Sequence, residues 1–217
     1  MPRTARADIG GLCYHVLNRG NNRATVFHSD DDYQQFLTLI GQAHEKHPMR
    51  VLGFCLMPNH FHLCLWPRQD GALGKFMQVL TTKHAFRYRK TYGGSGHIWS
   101  GRFKAFPCQS SQHLLRVLRY IERNPVRAKL APHVESWPWS SARLWNPSGL
   151  LPPIPWLDTG PVKRPLDWAA FVRVAESDEE LEVLRTSANR GAPFGDPQWV
   201  KQTATDLGIE STLREIE

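Results

Sequence analysis

The sequence predicts an α+β protein: a ferredoxin-like antiparallel sheet with helices on one face, an added tyrosine-bearing helix, and a C-terminal extension. Three observations predict it. Apolar alternation at the strand period recurs in short segments, helical periodicity fills the gaps between them, and in chain order the segments run β-α-β-β-α-β-α. The 217 residues are 41% hydrophobic and 22% charged, which suits a globular domain with a real core plus a substantial extension.

Residues 12–17, Leu-Cys-Tyr-His-Val-Leu, are β-prone and run into a turn-rich basic loop, Asn18-Arg19-Gly20-Asn21-Asn22-Arg23. Ser29 followed by Asp30, Asp31 and Asp32 reads as a helix N-cap with acids in the first turn; Phe36, Leu37, Ile40 and Ala43 continue at helical spacing until Pro48. Residues 51–57, a Pro58-Asn59 turn and residues 60–66 read as a hairpin. A second helix runs from about 73 to 92, with Phe76, Met77, Leu80 and Ala85 inward and Lys83, Arg87, Arg89 and Lys90 mostly outward, and Gly93-Gly94-Ser95-Gly96 ends it. Residues 98–106 alternate and predict the fourth strand, and 112–123 a third helix. Past residue 131, Trp137, Pro138, Trp139, Pro147, Pro152, Pro153, Pro155 and Trp156 point to a packed connector, succeeded by short helices around 167–175, 178–188 and 197–205. The expected organisation is one domain over 10–130 and a Trp/Pro-rich connector with a helical extension over 131–217.

The net charge of +7 is unevenly spread: residues 1–130 carry 19 Lys+Arg against 7 Asp+Glu, whereas 131–217 carry 8 against 13. A basic surface for a phosphate-bearing partner therefore belongs to the first part. No apolar run is long enough for a bilayer, and residues 1–8 lack the apolar stretch of a signal peptide, so a cytoplasmic protein with no membrane partner is expected. Cys13, Cys55, Cys64 and Cys108 show no C-x-x-C spacing and alternate with apolar residues, which predicts buried thiols rather than disulfides or structural zinc.

Chemistry is concentrated in Met57-Pro58-Asn59-His60-Phe61-His62-Leu63-Cys64-Leu65. Strand alternation puts His60 and His62 on one face about 7 Å apart, while Phe61, Leu63 and Leu65 face the other way, suited to burial under helices. Two such imidazoles are either half of a divalent-metal site or a pair making cross-strand contacts; a metal needs a further ligand. The third helix offers candidates. At 100° per residue, Arg119 and Arg123 lie within about 60° of Arg116, the apolar Leu114, Leu115, Val117, Leu118 and Ile121 lie on the far side, and Tyr120 sits on the border. A border tyrosine is an anchor or a nucleophile. Asn124, on the same side as Tyr120, either turns its carbonyl oxygen toward a metal or caps the turn that Pro125 begins.

His60-Phe61-His62 preceded by Met57-Pro58-Asn59, and Tyr120-Ile121-Glu122-Arg123-Asn124-Pro125-Val126-Arg127-Ala128, resemble the signature of the REP-associated tyrosine transposases, the single-tyrosine branch of the HUH endonucleases. Further matching segments are Asn18-Arg19-Gly20, Trp99-Ser100-Gly101-Arg102-Phe103-Lys104, Trp139-Ser140-Ser141 and Arg190-Gly191-Ala192-Pro193-Phe194-Gly195. The resemblance implies a metal-dependent nuclease and strand transferase acting on single-stranded and hairpin DNA. In that reading His60, His62 and Asn124 hold Mg²⁺ or Mn²⁺, Tyr120 is the nucleophile, and no nucleotide cofactor is needed because the phosphotyrosine conserves the bond energy. Imidazole ligands suit Mn²⁺ better than Mg²⁺. Expected DNA contacts are Asn18, Arg19, Arg23, Lys83, Arg87, Arg102, Lys104, Arg116, Arg119 and Arg123, with Trp99, Phe103 or Tyr14 stacking on bases. Relatives often end in a basic Gly-Arg-Pro-Arg tail, whereas this sequence reads Thr212-Leu213-Arg214-Glu215-Ile216-Glu217.

Three other readings compete. Tyr88 and Tyr92, four apart on the second helix, resemble the paired tyrosines of replication initiators and relaxases. Histidine-triad nucleotide hydrolases also alternate histidines on a strand, but need a third where Cys64 stands. A protein that keeps the fold only to bind hairpin DNA would not need His60, His62 and Tyr120 together. The expectation is a monomer, since the tyrosine helix can reach its own histidines.

Overall fold

The computed structural model describes residues 8–145 and 154–214. Four strands, β1 Cys13–Arg19, β2 Arg50–Met57, β3 His60–Trp66 and β4 Lys104–Cys108, form an antiparallel sheet in the order β2-β3-β1-β4. With α1 Asp30–Lys46 between β1 and β2, and α2 Ala72–Tyr92 between β3 and β4, this is the expected ferredoxin-like topology. α1 begins at a capping box: the Ser29 hydroxyl accepts from Asp32 N, and the Asp32 carboxylate accepts from Ser29 N.

The sheet separates two apolar cores. On one face Phe61, Leu63 and Leu65 pack with Phe36 and Ile40 of α1 and Phe76 and Leu80 of α2. On the other, α3 Gln112–Glu122 lays Leu114, Leu118 and Ile121 over Cys55, Cys64 and Phe106. The four cysteines are free and buried, as their spacing predicts, and burial pushes each thiol pKa up. Gly53 sits at a bulge in β2, where a Cβ would fall 2.8 Å from Leu118 Cδ2. The missing side chain is what lets α3 come down onto the sheet.

Two boundaries differ from expectation. β1 continues through Asn18 and Arg19, because both pair with β3 opposite Phe61 and His60. The fourth strand starts at Lys104 rather than 98: Gly101 has φ +143, and residues 98–103 form an irregular loop joined to the end of β1 by a Gly20–Trp99 bridge and by a hydrogen bond from Asn18 Nδ2 to Gly101 O. Its apolar alternation serves to plug Trp99 and Phe103 into the α1/α2 core, where both are buried.

The remaining chain wraps the sheet. α5 Trp168–Arg173, α6 Asp178–Arg190 and α7 Pro197–Asp206 fall close to the predicted spans, a short α4 Asn124–Arg127 follows α3 where no separate helix is predicted, and Pro147, Pro152 and Pro153 of the expected connector lie outside the described residues. The outer edge of β2 is covered group by group: Val51 N bonds Trp156 O and Val51 O accepts from Asp158 N; Phe54 N bonds Ser141 Oγ; Leu56 N bonds Trp139 O. At the other edge, Phe194 donates to Pro107 O and accepts from Gln109 N. A fully buried Glu122, at the end of α3, accepts from Ser141 Oγ and from Trp168 Nε1, both at 2.6 Å, and so ties the connector and α5 to the tyrosine helix. Burial raises its carboxyl pKa above 4.5, against the opposing pull of these donors and of Arg164.

Candidate active site

The α3-facing surface of the sheet changes character along the strands. At one end it is Cys13, Cys64 and Cys108; in the middle, His15, His62 and Phe106; at the far end, Arg19, His60 and Lys104. There it opens into a cavity of about 460 Å³ that Tyr120 and Asn124 enter from the helical layer. The Tyr120 ring stands perpendicular to that of His62, centroids 6.0 Å apart, and the His60 and His62 rings are 5.0 Å apart. The four residues that the resemblance groups are thus in one pocket.

Each candidate ligand has its non-ligating atom tied. Asn59 Nδ2 donates to Arg23 O at 3.0 Å, which turns Asn59 Oδ1 toward His60. His60 Nδ1 lies 2.6 Å from that oxygen, which can only accept, so Nδ1 carries the hydrogen and Nε2 keeps its lone pair. Asn124 Nδ2 donates to Tyr120 O at 3.2 Å and leaves Oδ1 uncommitted, so the side chain does not act as a helix cap. His62 Nδ1 meets His15 Nε2 at 2.8 Å. All three imidazoles are held neutral. Burial brings His60 down to about 4, helped by Arg19 and Arg127, and His15 to about 3; His62, buried beside His60 and His15, is lowered well below 6.5. Two imine nitrogens and an amide oxygen fit a borderline divalent cation, and among the described residues no cluster of three His, Cys, Asp or Glu side chains offers an alternative.

Of the expected DNA contacts, Asn18, Arg19, Arg102 and Lys104 line the pocket. The others are placed elsewhere. Arg119 is 7% exposed and bonds Glu180 at 2.7 Å, with Arg116 Nε 3.7 Å from the same carboxylate. Arg123 pairs with the buried Glu176 at 3.2 Å and donates to Arg173 O. The acids of the extension thus occupy the arginine face that helical periodicity assigns to solvent. Lys83 bonds Gln42, and Arg87 bonds Asp31, on the α1/α2 side of the sheet. Arg23 is exposed on its turn and reaches the site only through its carbonyl. Tyr14 is a core residue, and Trp99 and Phe103 are packed in the α1/α2 core, although both border the larger groove beside the pocket. Tyr88 and Tyr92 face His28 and Asp32, near the start of α1, across the sheet from the histidine pair.

Four contributors escape sequence reasoning. Arg127 places its guanidinium 4.2 Å over the Tyr120 ring, donates to Tyr120 O at 3.2 Å and is braced by Glu176 at 3.0 Å. Its position seven residues after Tyr120, two helical turns on, is the signal that could have found it. Arg185 and Asn189 of α6 wall the pocket from the extension, a placement no local pattern carries. His15 is legible as an inward residue of β1, but not as a partner of His62.

This sheet topology, with a tyrosine set over a histidine pair, is the arrangement expected of a tyrosine transposase. Residues 9–124 match the family described as Transposase IS200 like, and the chain belongs to it. A protein of Haemophilus influenzae described as a REP-associated tyrosine transposase is 28% identical over 143 residues, 61% of this chain and 80% of the relative. The solved structure of a REP-associated tyrosine transposase bound to a REP hairpin superposes with a TM-score of 0.58 at 21% identity, covering 70% of this chain and 89% of that one. That likeness shows the shared fold. Among the described residues no helix is long and apolar enough to cross a membrane.

Proposed function

We propose that this chain is a metal-dependent endonuclease and strand transferase for single-stranded DNA flanking a hairpin, working through a 5′-phosphotyrosine on Tyr120. The observation that carries the reading is the convergence of Tyr120, His60, His62 and Asn124 on one pocket, each candidate ligand with its donor atom free. His60 Nε2, His62 Nε2 and Asn124 Oδ1 would hold Mg²⁺ or Mn²⁺, which when bound supplies Lewis-acid polarisation of the scissile phosphate. Tyr120 Oη forms a bond to phosphorus as the P–O3′ bond breaks; the phenolic proton is released to solvent, and the departing oxygen takes up a proton to become a free 3′-hydroxyl. Attack by a second 3′-hydroxyl reverses these steps, so no nucleotide is consumed. Arg127, stacked over the ring and bonded to the Tyr120 carbonyl, would hold the attacking phenol in place, and Arg19, Arg102 and Lys104 offset the charge of the phosphate as it enters.

A larger groove of about 1540 Å³ shares Asn18, Ser100, Arg102 and Lys104 with the pocket. It passes Phe86, 72% exposed on α2, together with Arg89 and Arg190. Cations around an exposed ring are the features that hold a single strand by phosphate contact and stacking, and we assign this groove to the strand leading away from the cut. The hairpin assignment is drawn from the related transposase, whose solved structure is bound to a REP hairpin.

Incubation with a labelled hairpin bearing single-stranded flanks and Mn²⁺ should give a covalent protein–DNA band that EDTA prevents. Tyr120→Phe should abolish the band, while Tyr88→Phe and Tyr92→Phe keep it. Binding without any adduct would leave a hairpin-binding protein of the same fold. An adduct that survives Tyr120→Phe would overturn the nucleophile assignment.

A further inference from the structure

His15 is fully buried on β1, and its Nε2 lies 2.8 Å from His62 Nδ1. The two rings are nearly parallel, 26° apart with centroids at 5.0 Å, while the His15 and Phe106 rings meet edge to face at 4.9 Å. His15 Nδ1 has no hydrogen-bond partner among the described residues. A polar ring is thus fully buried with one hydrogen-bond partner among the described residues, and that bond goes to a candidate metal ligand. Buried polar groups this poorly satisfied call for a reason beyond packing.

The geometry also excludes His15 as a third ligand. It lies behind His62 and does not line the pocket, and its Nε2 is already engaged. What it can do is decide which nitrogen of His62 faces outward. If His62 Nδ1–H donates to His15 Nε2, His62 Nε2 presents a lone pair; if His15 donates instead, His62 Nε2 carries a hydrogen and cannot bind a metal. The pocket selects between them. Arg19 shares the pocket with His62 and Arg127 lies over the neighbouring Tyr120, so a lone pair is favoured there over an N–H dipole aimed at like charge. His60 and Asn124 are oriented by the same kind of bond, from Asn59 and from the Tyr120 carbonyl.

We propose that His15 is a positioning residue: it accepts the Nδ1 hydrogen of His62 and so fixes the tautomer and ring orientation in which His62 Nε2 can bind a divalent cation. This rests on the reading of His62 as a metal ligand.

The test uses the full chain without DNA. In a long-range proton–nitrogen correlation spectrum of histidine-labelled wild type, His62 should carry its hydrogen on Nδ1. In titrations followed by the electron-spin signal of free Mn²⁺, His15→Phe should bind about 10- to 100-fold more weakly. His15→Gln, whose amide oxygen falls near the place of Nε2, should recover most of that loss. Equal Mn²⁺ affinity in wild type and a folded His15→Phe would overturn the positioning role, as would a His62 hydrogen on Nε2. A wild-type protein that binds no Mn²⁺ would instead overturn the ligand assignment on which the role depends. If His15→Phe fails to fold, the wild-type tautomer alone decides.

Discussion

The pairing of the α3 arginines with acids of the extension can be tested through salt dependence. Four cationic side chains line the pocket, Arg19, Arg102, Lys104 and Arg185, and none makes an ion pair among the described residues. If each neutralises one phosphate of a single strand short enough to fill the pocket without reaching Arg89 and Arg190 of the groove, the slope of log K against log salt is about −0.7 per contact, or roughly −2.8 in total. Raising salt from about 50 to 200 mM should then weaken binding about 50-fold. The measurement is fluorescence anisotropy with a labelled strand that has no hairpin, in a Tyr120→Phe background so that nothing is cleaved. Arg102→Ala should reduce the slope to roughly −2.1. Arg119→Ala and Arg123→Ala should leave it unchanged, because those cations are already paired with Glu180 and Glu176. Their cost should appear as lost stability, about 1–2 kcal/mol for Arg119→Ala, discounted because Glu180 is partly exposed and keeps Arg116. If Arg119→Ala flattens the slope as much as Arg102→Ala does, the ion pairs open for DNA and the α3 arginines belong to the binding surface after all.

Glu122→Leu should leave the Trp168 indole N–H buried without an acceptor and lower stability by about 1–3 kcal/mol, visible as a melting point roughly 2–12 °C lower; an unchanged melting point would count against the clamp. Because burial raises the Glu122 carboxyl above 4.5, folding favours its protonated form. Stability from this group is therefore full below about pH 4.5 and declines as pH climbs through the raised value, a dependence that Glu122→Gln should remove from pH-resolved unfolding curves. Arg127→Met should slow adduct formation about 2- to 30-fold, the equivalent of a cation–π contact of about 0.5–2 kcal/mol, with little change in strand affinity. Adduct formation at the wild-type rate would remove Arg127 from the chemistry.

The elements legible in the sequence are those specified by local rules. Ser29 and Asp32 spell a capping box, the Pro58-Asn59 turn separates two strands of matched alternation, and the extension helices announce their starts with Ser177 and with Asp196-Pro197. Local patterns mislead where a long-range partner overrides them. The alternation of residues 98–106 is real, yet Trp99 and Phe103 use it to dock an irregular loop rather than to extend a strand. The arginine stripe on α3 has a correct period but lies against Glu176 and Glu180, more than fifty residues further on. In the site, Tyr120, His60, His62 and Asn124 can be named because a motif ties them, whereas Arg185 and Asn189 reach the pocket only through the packing of α6.

The seam at residue 131, inviting as it is in composition, is not a place to cut. Removing residues 132–217 would strip β2 of the groups that now satisfy Val51, Phe54 and Leu56, and β4 of its Phe194 partner. A shortened protein would present two adhesive backbone margins and be prone to self-association. The intact chain offers no such margin at those positions, so a second copy cannot lengthen the sheet there.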